Sequence, residues 1–367
     1  MNWVVYLSDV GSGLVSKVQD LLEKAYQTSE LTKAEIIYLQ KNITSADRES
    51  LYGYALKTKQ AYYGNKVYLR GLIEFSNICR QDCLYCGIRA SNAKVERYRL
   101  TPQEILACCD QGYELGYRTF VLQSGEDLWY TDEILVALIQ GIKKRYPEAA
   151  ITLSIGERRA ETYRSLFAAG ADRFLMRHET ASKELYEKLH STLCFDERRA
   201  CLSTLKDIGY QVGAGFMVGL PGQTFADLAE DLIYLREFRP DMIGIGPFIP
   251  HSETPLGTKK GGTLEDTLMM VALARLLIPE SLIPATTALG TLHPLGRELA
   301  LRAGANVVMP NITPALARKK YALYENKNCG EGHPEDFRYC IEQEIRSAGF
   351  EVDSGRGDSV KFRRRAR

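Results

Sequence analysis

Three cysteines stand at Cys79, Cys83 and Cys86, in the run NICRQDCLYCGIRA. Thiols this close can pair in disulfides, hold zinc, hold an iron–sulfur cluster, or be a coincidence. The chain has nine cysteines, an odd number, and its first residues lack a basic stretch ahead of an apolar one. A cytoplasmic location with reduced thiols is therefore expected, which disfavours a disulfide framework. Structural zinc takes four protein ligands, and ferredoxin clusters take four thiolates. C-x3-C-x2-C supplies three, and the next histidine along the chain is His178. Three thiolates on a [4Fe–4S] cube leave one iron without a protein ligand. By analogy with catalytic zinc sites, an open coordination position is where a metal takes a substrate or cofactor.

Such a loop needs a frame. Apolar, β-rich runs are expected as strands over 67–76, 119–124, 150–155, 172–177, 211–218, 242–249, 283–289 and 306–310. Helical stretches separate them. Thr101 precedes one, with Pro102 at its first position, and Thr224 and Thr263 open others. Gly170 and Gly304 read as helix C-caps. Three helices are expected ahead of the first strand. Thr32 caps one with Glu35 three residues on, and Ser45 precedes another. Strands alternating with helices form parallel βα units, and eight of them close a barrel. The fold class is thus α/β, a (βα)8 TIM-type barrel with N-terminal helices and a C-terminal helical extension; a doubly wound open sheet is the competing arrangement. The expected divisions are a helical segment over 1–66 packed on the barrel, the barrel over 67–312, and an extension with a basic tail over 313–367.

A barrel builds its active site at the C-terminal ends of its strands. Polar residues fall there: the cysteines after the first strand, Ser124-Gly125-Glu126 after the second, Glu157-Arg158 after the third, Arg177 at the fourth, Met217 at the fifth, Thr286 and Thr287 at the seventh, and Met309 at the eighth. Side chains alternate along a strand, so only one of the two threonines should point fully inward. Glu157 and Arg177 can bind a ligand, pair with each other across adjacent strand ends, or both. Met217 is equally well placed for core packing, and His178 and His251 read as structural histidines.

With Tyr85 just before its last cysteine, the motif resembles the signature of the radical S-adenosylmethionine (SAM) superfamily. GLIEFSNICRQDCLYCGIR, FVLQSGED, LSIGE, RHET, GAGFMVGLPGQT, MIGIGPFIPH, IPATTALGT and GANVVMPNITP, in that order, are similar to the HydE family of [FeFe]-hydrogenase maturases. The resemblance implies an enzyme whose [4Fe–4S] cluster, held by Cys79, Cys83 and Cys86, cleaves SAM to a 5′-deoxyadenosyl radical. It implies an organometallic Fe(CO)2(CN)–cysteine substrate on the way to the dinuclear iron subcluster, an electron donor such as a ferredoxin, and other hydrogenase maturases as partners. By the same resemblance Tyr85, Ser124, Gly125, Glu126, Glu157, Arg177 and Met217 face SAM: acceptors for its ammonium at 124–126, Glu157 for the ribose hydroxyls, Arg177 for the carboxylate. Arg158, Thr286, Thr287, Met309, Tyr321 and Tyr324 face the substrate. Tyr321 and Tyr324 are three apart and share a face if helical.

Some members carry an accessory cluster on C-x7-C-x2-C. This chain has Cys329 and Cys340 at the outer spacing but Phe337 in the middle, so no stable second cluster is expected. A methylornithine-synthase-like mutase and a non-catalytic iron–sulfur carrier are the alternative functions. Lys plus Arg is 47 against 46 for Asp plus Glu, so no global field draws the protein to nucleic acid or membrane. No apolar run approaches the length needed to span a bilayer.

Overall fold

Threonine caps start the helices. Thr32, Thr101, Thr224 and Thr263 each accept from the backbone N–H three residues on, satisfying a donor that the first turn leaves without a partner. The third helix starts one residue earlier than Ser45 suggested: Thr44 is the cap and Ser45 the first helical residue. The structure, a computed structural model, describes residues 16–327 and 334–365. Its first helices are α1 (Lys17–Thr28), α2 (Lys33–Asn42) and α3 (Ser45–Tyr63). α3 packs on the helix Leu264–Leu277, which is buried along nearly its whole length.

The expected first strand is two segments, β1 (Lys66–Leu69) and β2 (Gly71–Ser76), interrupted at Arg70. After them come β3 (Thr119–Ser124), β4 (Ala150–Ser154), β5 (Arg173–Leu175), β6 (Gln211–Ala214), β7 (Met217–Val218), β8 (Met242–Ile243), β9 (Gly246–Pro247), β10 (Val307–Val308) and β11 (Glu351–Asp353). A parallel sheet runs β2-β3-β4-β5-β6-β8. Single parallel bridges carry the ladder on from Met242 to Leu282 and from Pro284 to Val307, and β10 pairs with β1. The ring thereby closes through eight positions. The fifth and sixth strands are each split in two. Gly215, at φ +149°, allows this, because a Cβ there would lie 2.0 Å from Gly244 O.

The expected seventh strand, 283–289, does not form. Residues 282–284 bridge both neighbours, and the chain then turns into the helix Thr287–Leu292. The C-terminal extension is not purely helical either, since β11 pairs parallel with β1. The segment after β11 closes the N-terminal end of the barrel. Fully buried Arg173 donates to Asp358 Oδ1 at 2.6 Å, and Gln211 Nε2 to the same oxygen at 2.8 Å. Burial opposes ionisation of Asp358, but Arg173 and Arg356 outweigh it and hold the carboxyl well below its usual range. Among the described residues no helix is long and apolar enough to cross a membrane.

Candidate active site

The cysteine loop leaves the C-terminal end of β2 and is clamped by polar groups. Asn77, fully buried, donates to Glu96 O at 2.9 Å and Lys320 O at 2.8 Å. Arg97 donates to Asn77 O at 2.7 Å, Ile88 O at 2.8 Å and Arg89 O at 2.6 Å. Loop carbonyls that no ladder reaches are thereby satisfied. The loop after β3 presses on the first cysteine, and Gly125 permits the contact: a Cβ there would lie 2.3 Å from Ile78 O and 2.8 Å from Cys79 Cβ.

Burial raises all three thiols. Cys79 is raised, Cys83 lies well above the ordinary range, and Cys86 is pushed up to about 12. Cys83 is raised further by Cys86 and Cys79. A coordinating metal would deprotonate these thiols outright. No group of three or more His, Cys, Asp or Glu among the described residues is arranged to hold one metal ion. Three thiols from one loop that line one cavity are the donor set that three irons of a [4Fe–4S] cube would take, with the fourth iron left to a ligand in the cavity.

All the candidate residues except Glu157 and Arg158 line one cavity of ≈ 340 Å³, with Cys79, Cys83, Cys86 and Tyr85 in its wall. His190 Nδ1 donates to Tyr186 O at 2.8 Å, so Nε2 accepts from the Tyr85 hydroxyl at 2.9 Å. Burial lowers His190 to about 4 and keeps it neutral. Ser124 donates to Gly125 O at 2.7 Å. The Glu126 carboxylate is committed to protein: Arg80 Nε at 2.9 Å, Gln81 Nε2 at 2.6 Å and the N–H of Glu157 at 2.9 Å. Met217 is buried beside the cavity.

Glu157 and Arg177 do not pair with each other. Glu157 faces Arg198 Nε at 2.9 Å. Burial raises the Glu157 carboxyl, and Arg198 opposes the shift. Arg177 faces Glu179 at 3.3 Å. Glu179 has a left-handed backbone, φ +65°, and its buried Oε2 makes no hydrogen bond. Arg158 turns away, donating to Asp127 O at 3.0 Å and Tyr130 O at 3.3 Å. With Glu157 it lines a neighbouring hollow of ≈ 680 Å³ instead.

Thr286 is the cap residue and Thr287 the first residue of the short helix, so a turn brings both to the cavity where a strand would have admitted one. Tyr321 and Tyr324 both reach the cavity, but not from one helix face; the helix Ala315–Lys320 ends before them. His178 is structural: it accepts from Gly215 N–H at 3.2 Å and donates to Asp231 at 3.1 Å. Cys329 lies outside the described residues, and Cys340 is exposed.

Sequence reasoning passed over Arg198 and Glu179, and the pair Glu74–Lys327. Arg198 carries no local signal, because it sits in a charged stretch, DERR, that reads as a solvated face. Glu74 does carry one: a carboxylate in mid-strand, in GLIEFS, is rarely buried without a partner.

The Radical SAM superfamily profile matches residues 73–235. The [FeFe] hydrogenase maturase subunit HydE of Thermotoga maritima is 47% identical over 313 residues, which cover 85% of this chain and 88% of that protein. A 3-methylornithine synthase of Methanosarcina acetivorans is 31% identical, covering 78% and 81% respectively. The crystal structure of methylornithine synthase (PylB) superposes with a TM-score of 0.77 at 28% identity, covering 91% of this chain and 97% of that one. Barrel and thiol loop define a radical SAM enzyme, whose cofactors are a [4Fe–4S] cluster and SAM. Within that superfamily the chain belongs to the HydE family.

Proposed function

We infer that this protein matures [FeFe]-hydrogenase, acting by radical chemistry on an organometallic Fe(CO)2(CN)–cysteine unit. The observation that carries the reading is the 47% identity to HydE across nearly the whole chain. Support comes from the single cavity that runs from the cysteine loop to Thr286, Met309 and Tyr324.

When bound, the reduced cluster supplies the electron that divides SAM into methionine and the 5′-deoxyadenosyl radical. The chain's own residues bind and orient. Cys79, Cys83 and Cys86 hold three irons. Tyr85, fixed by His190, and Met217 flank the adenine. Ser124 and the backbone at Gly125 accept from the SAM ammonium, and Arg177 offers its planar fork to the SAM carboxylate. Glu179 takes the ribose hydroxyls in place of Glu157. Each carboxylate faces an arginine and has a buried oxygen that makes no hydrogen bond, but Glu157 lines the neighbouring hollow, whereas Glu179 lines the cavity. Its strained backbone is of the kind that clusters at functional sites. Glu126 acts through Arg80 and Gln81, holding the cysteine loop in place. Arg158 ties down the loop after β3. Thr286, Thr287, Met309, Tyr321 and Tyr324 enclose the substrate and exclude water. A ferredoxin-type donor supplies the electron.

The test is anaerobic reconstitution, an iron count, and a 5′-deoxyadenosine assay with dithionite, followed by activation of apo-hydrogenase in a mixture of maturases with and without this protein. About four irons per chain, SAM cleavage and hydrogenase activity that depends on the protein are expected. SAM cleavage with no effect on the hydrogenase overturns the maturase role. A mutase role is the second reading, favoured by the PylB likeness, and a rearranged product from lysine would establish it.

A further inference from the structure

The loop after β3 has a second face. One side of it touches the cysteine loop. The other carries Leu128 and Trp129, both exposed and neither in the wall of the cavity. This tip is firmly held. Buried Asp127 accepts from Ser76 Oγ at 2.7 Å, from Arg99 Nε at 2.7 Å and from the Trp129 N–H at 3.1 Å. The Arg99 guanidinium carbon lies 4.9 Å from the Trp129 ring centroid. A lone exposed apolar residue needs no explanation. Two adjacent ones, fixed at the end of a braced loop, form a preorganised surface that a partner can bury at little cost in ordering.

Two ion pairs are made on this loop, and both are turned the same way. The Arg80 side chain is 48% exposed and its partner Glu126 6%; the Arg99 side chain is 29% exposed and its partner Asp127 2%. The guanidiniums meet solvent while their counter-charges stay buried. Arg159, also exposed, lines the hollow of ≈ 680 Å³ together with Arg80 and Leu128. Asp132, Glu133 and Glu197 line that hollow too. Attraction is therefore confined to contacts at the tip and does not extend as a long-range field. Tryptophan and arginine side by side are characteristic of the energetic centre of protein interfaces, and outward guanidiniums call for carboxylates on the partner.

A short run of backbone joins Trp129 to Glu126, whose N–H donates to Cys79 Sγ. Arg80 follows Cys79 directly in the chain. The surface thus backs onto a thiol that holds the cluster. A partner delivering a molecule needs an opening into the cavity, and Leu128, Trp129 and Arg99 line none of it. An electron needs only closeness. We propose that Leu128 and Trp129, with Arg80 and Arg99, form the docking surface for the electron donor, a small acidic protein of the ferredoxin type. One electron leaves the reduced iron–sulfur centre of the donor, which is thereby oxidised, and enters the cluster held by Cys79, Cys83 and Cys86, which is reduced; no atom is transferred. The proposal deepens the reading above, on which it rests for the class of donor.

Full-length, cluster-loaded protein is titrated anaerobically with an oxidised plant-type [2Fe–2S] ferredoxin, by calorimetry at low ionic strength. With SAM present, the same ferredoxin, reduced beforehand, is compared with dithionite as the reductant for 5′-deoxyadenosine formation. Leu128→Glu sets a carboxylate against an acidic partner. It is expected to weaken ferredoxin binding and slow the ferredoxin-driven reaction, each by about tenfold, with the dithionite-driven reaction, iron content and melting temperature unchanged. Leu128→Lys is expected to bind at least as tightly as wild type, and it decides the matter should Leu128→Glu not fold, a tenfold weakening counting against the surface. A wild type that does not bind ferredoxin, or binds it no better than Leu128→Glu does, overturns the proposal, as does an equal slowing with dithionite. Loss of hydrogenase activation in Leu128→Glu with ferredoxin binding intact gives the surface to another protein and overturns it too. Should wild type cleave SAM yet leave the hydrogenase inactive, the maturase reading fails instead, and the titration still decides the surface.

Discussion

The backbone N–H of Glu126 donates to Cys79 Sγ at 3.4 Å, while the Glu126 carboxylate holds Arg80 and Gln81 of the same cysteine loop. The loop after β3 is therefore a brace for the thiols, and the brace depends on close approach at its glycine.

Gly125→Ala should break the brace. The new Cβ meets backbone at Ile78 O, which cannot swing aside. A cost of about 2 kcal/mol is expected from the overpacking. Iron bound after reconstitution should fall with it, at a secondary-structure content equal to wild type. Full iron loading with an unchanged melting temperature would show that the brace is dispensable.

Arg198→Met leaves the Glu157 carboxylate buried without its partner. Breaking one side of a buried pair costs about 3 kcal/mol at pH 7. Burial already raises Glu157, and Arg198 is what opposes that shift, so in the variant its protonated form is favoured further. A raised carboxyl favours the folded state at low pH and loses that contribution as pH rises above the unfolded value. The gap in stability between wild type and variant should accordingly narrow as pH falls from 7 toward 4.5. Urea unfolding across that range checks it, and a constant gap counts against it.

His190 titrates in the other direction. Burial lowers its folded pKa from 6.5 to about 4, so the unfolded chain takes up the proton first. The stabilising contribution is complete above pH 6.5 and is lost as pH falls toward 4, at most about 3 kcal/mol. His190→Gln keeps an acceptor for Tyr85 and cannot titrate. Its unfolding free energy should fall less steeply than that of wild type between pH 6.5 and 4; parallel curves would assign the drop to other groups.

Glu179→Gln keeps the shape of a side chain that faces the cavity and removes its charge. A charge-assisted hydrogen bond to a ribose hydroxyl contributes about 1.5–3 kcal/mol. SAM affinity measured anaerobically should weaken roughly tenfold or more, with iron content unchanged. Equal affinity would return the ribose role to Glu157.

The parts legible in the chain were those set by near neighbours. Threonine caps, the alternation of strands and helices, and the spacing of Cys79, Cys83 and Cys86 depend on residues a few positions apart, and each has a recurring pattern. Boundaries were less legible where tertiary contact overrode the local signal. The run after Pro284 is apolar enough for a strand, but it turns at Thr286 into a helix, and this turn brings both threonines to the cavity. The strand β11 was invisible because three residues against β1 carry too little pattern to announce themselves.

The sequence by itself determined the barrel, the three-thiol loop and the residue types at the strand ends. Only the tertiary structure decided which charges meet: Arg198 takes Glu157, Arg177 is left to Glu179, and Lys327 reaches Glu74 across 253 positions. Such pairings follow from where the closed ring brings side chains after folding, and electrostatic attraction acts on distance in space, to which separation along the chain is no guide.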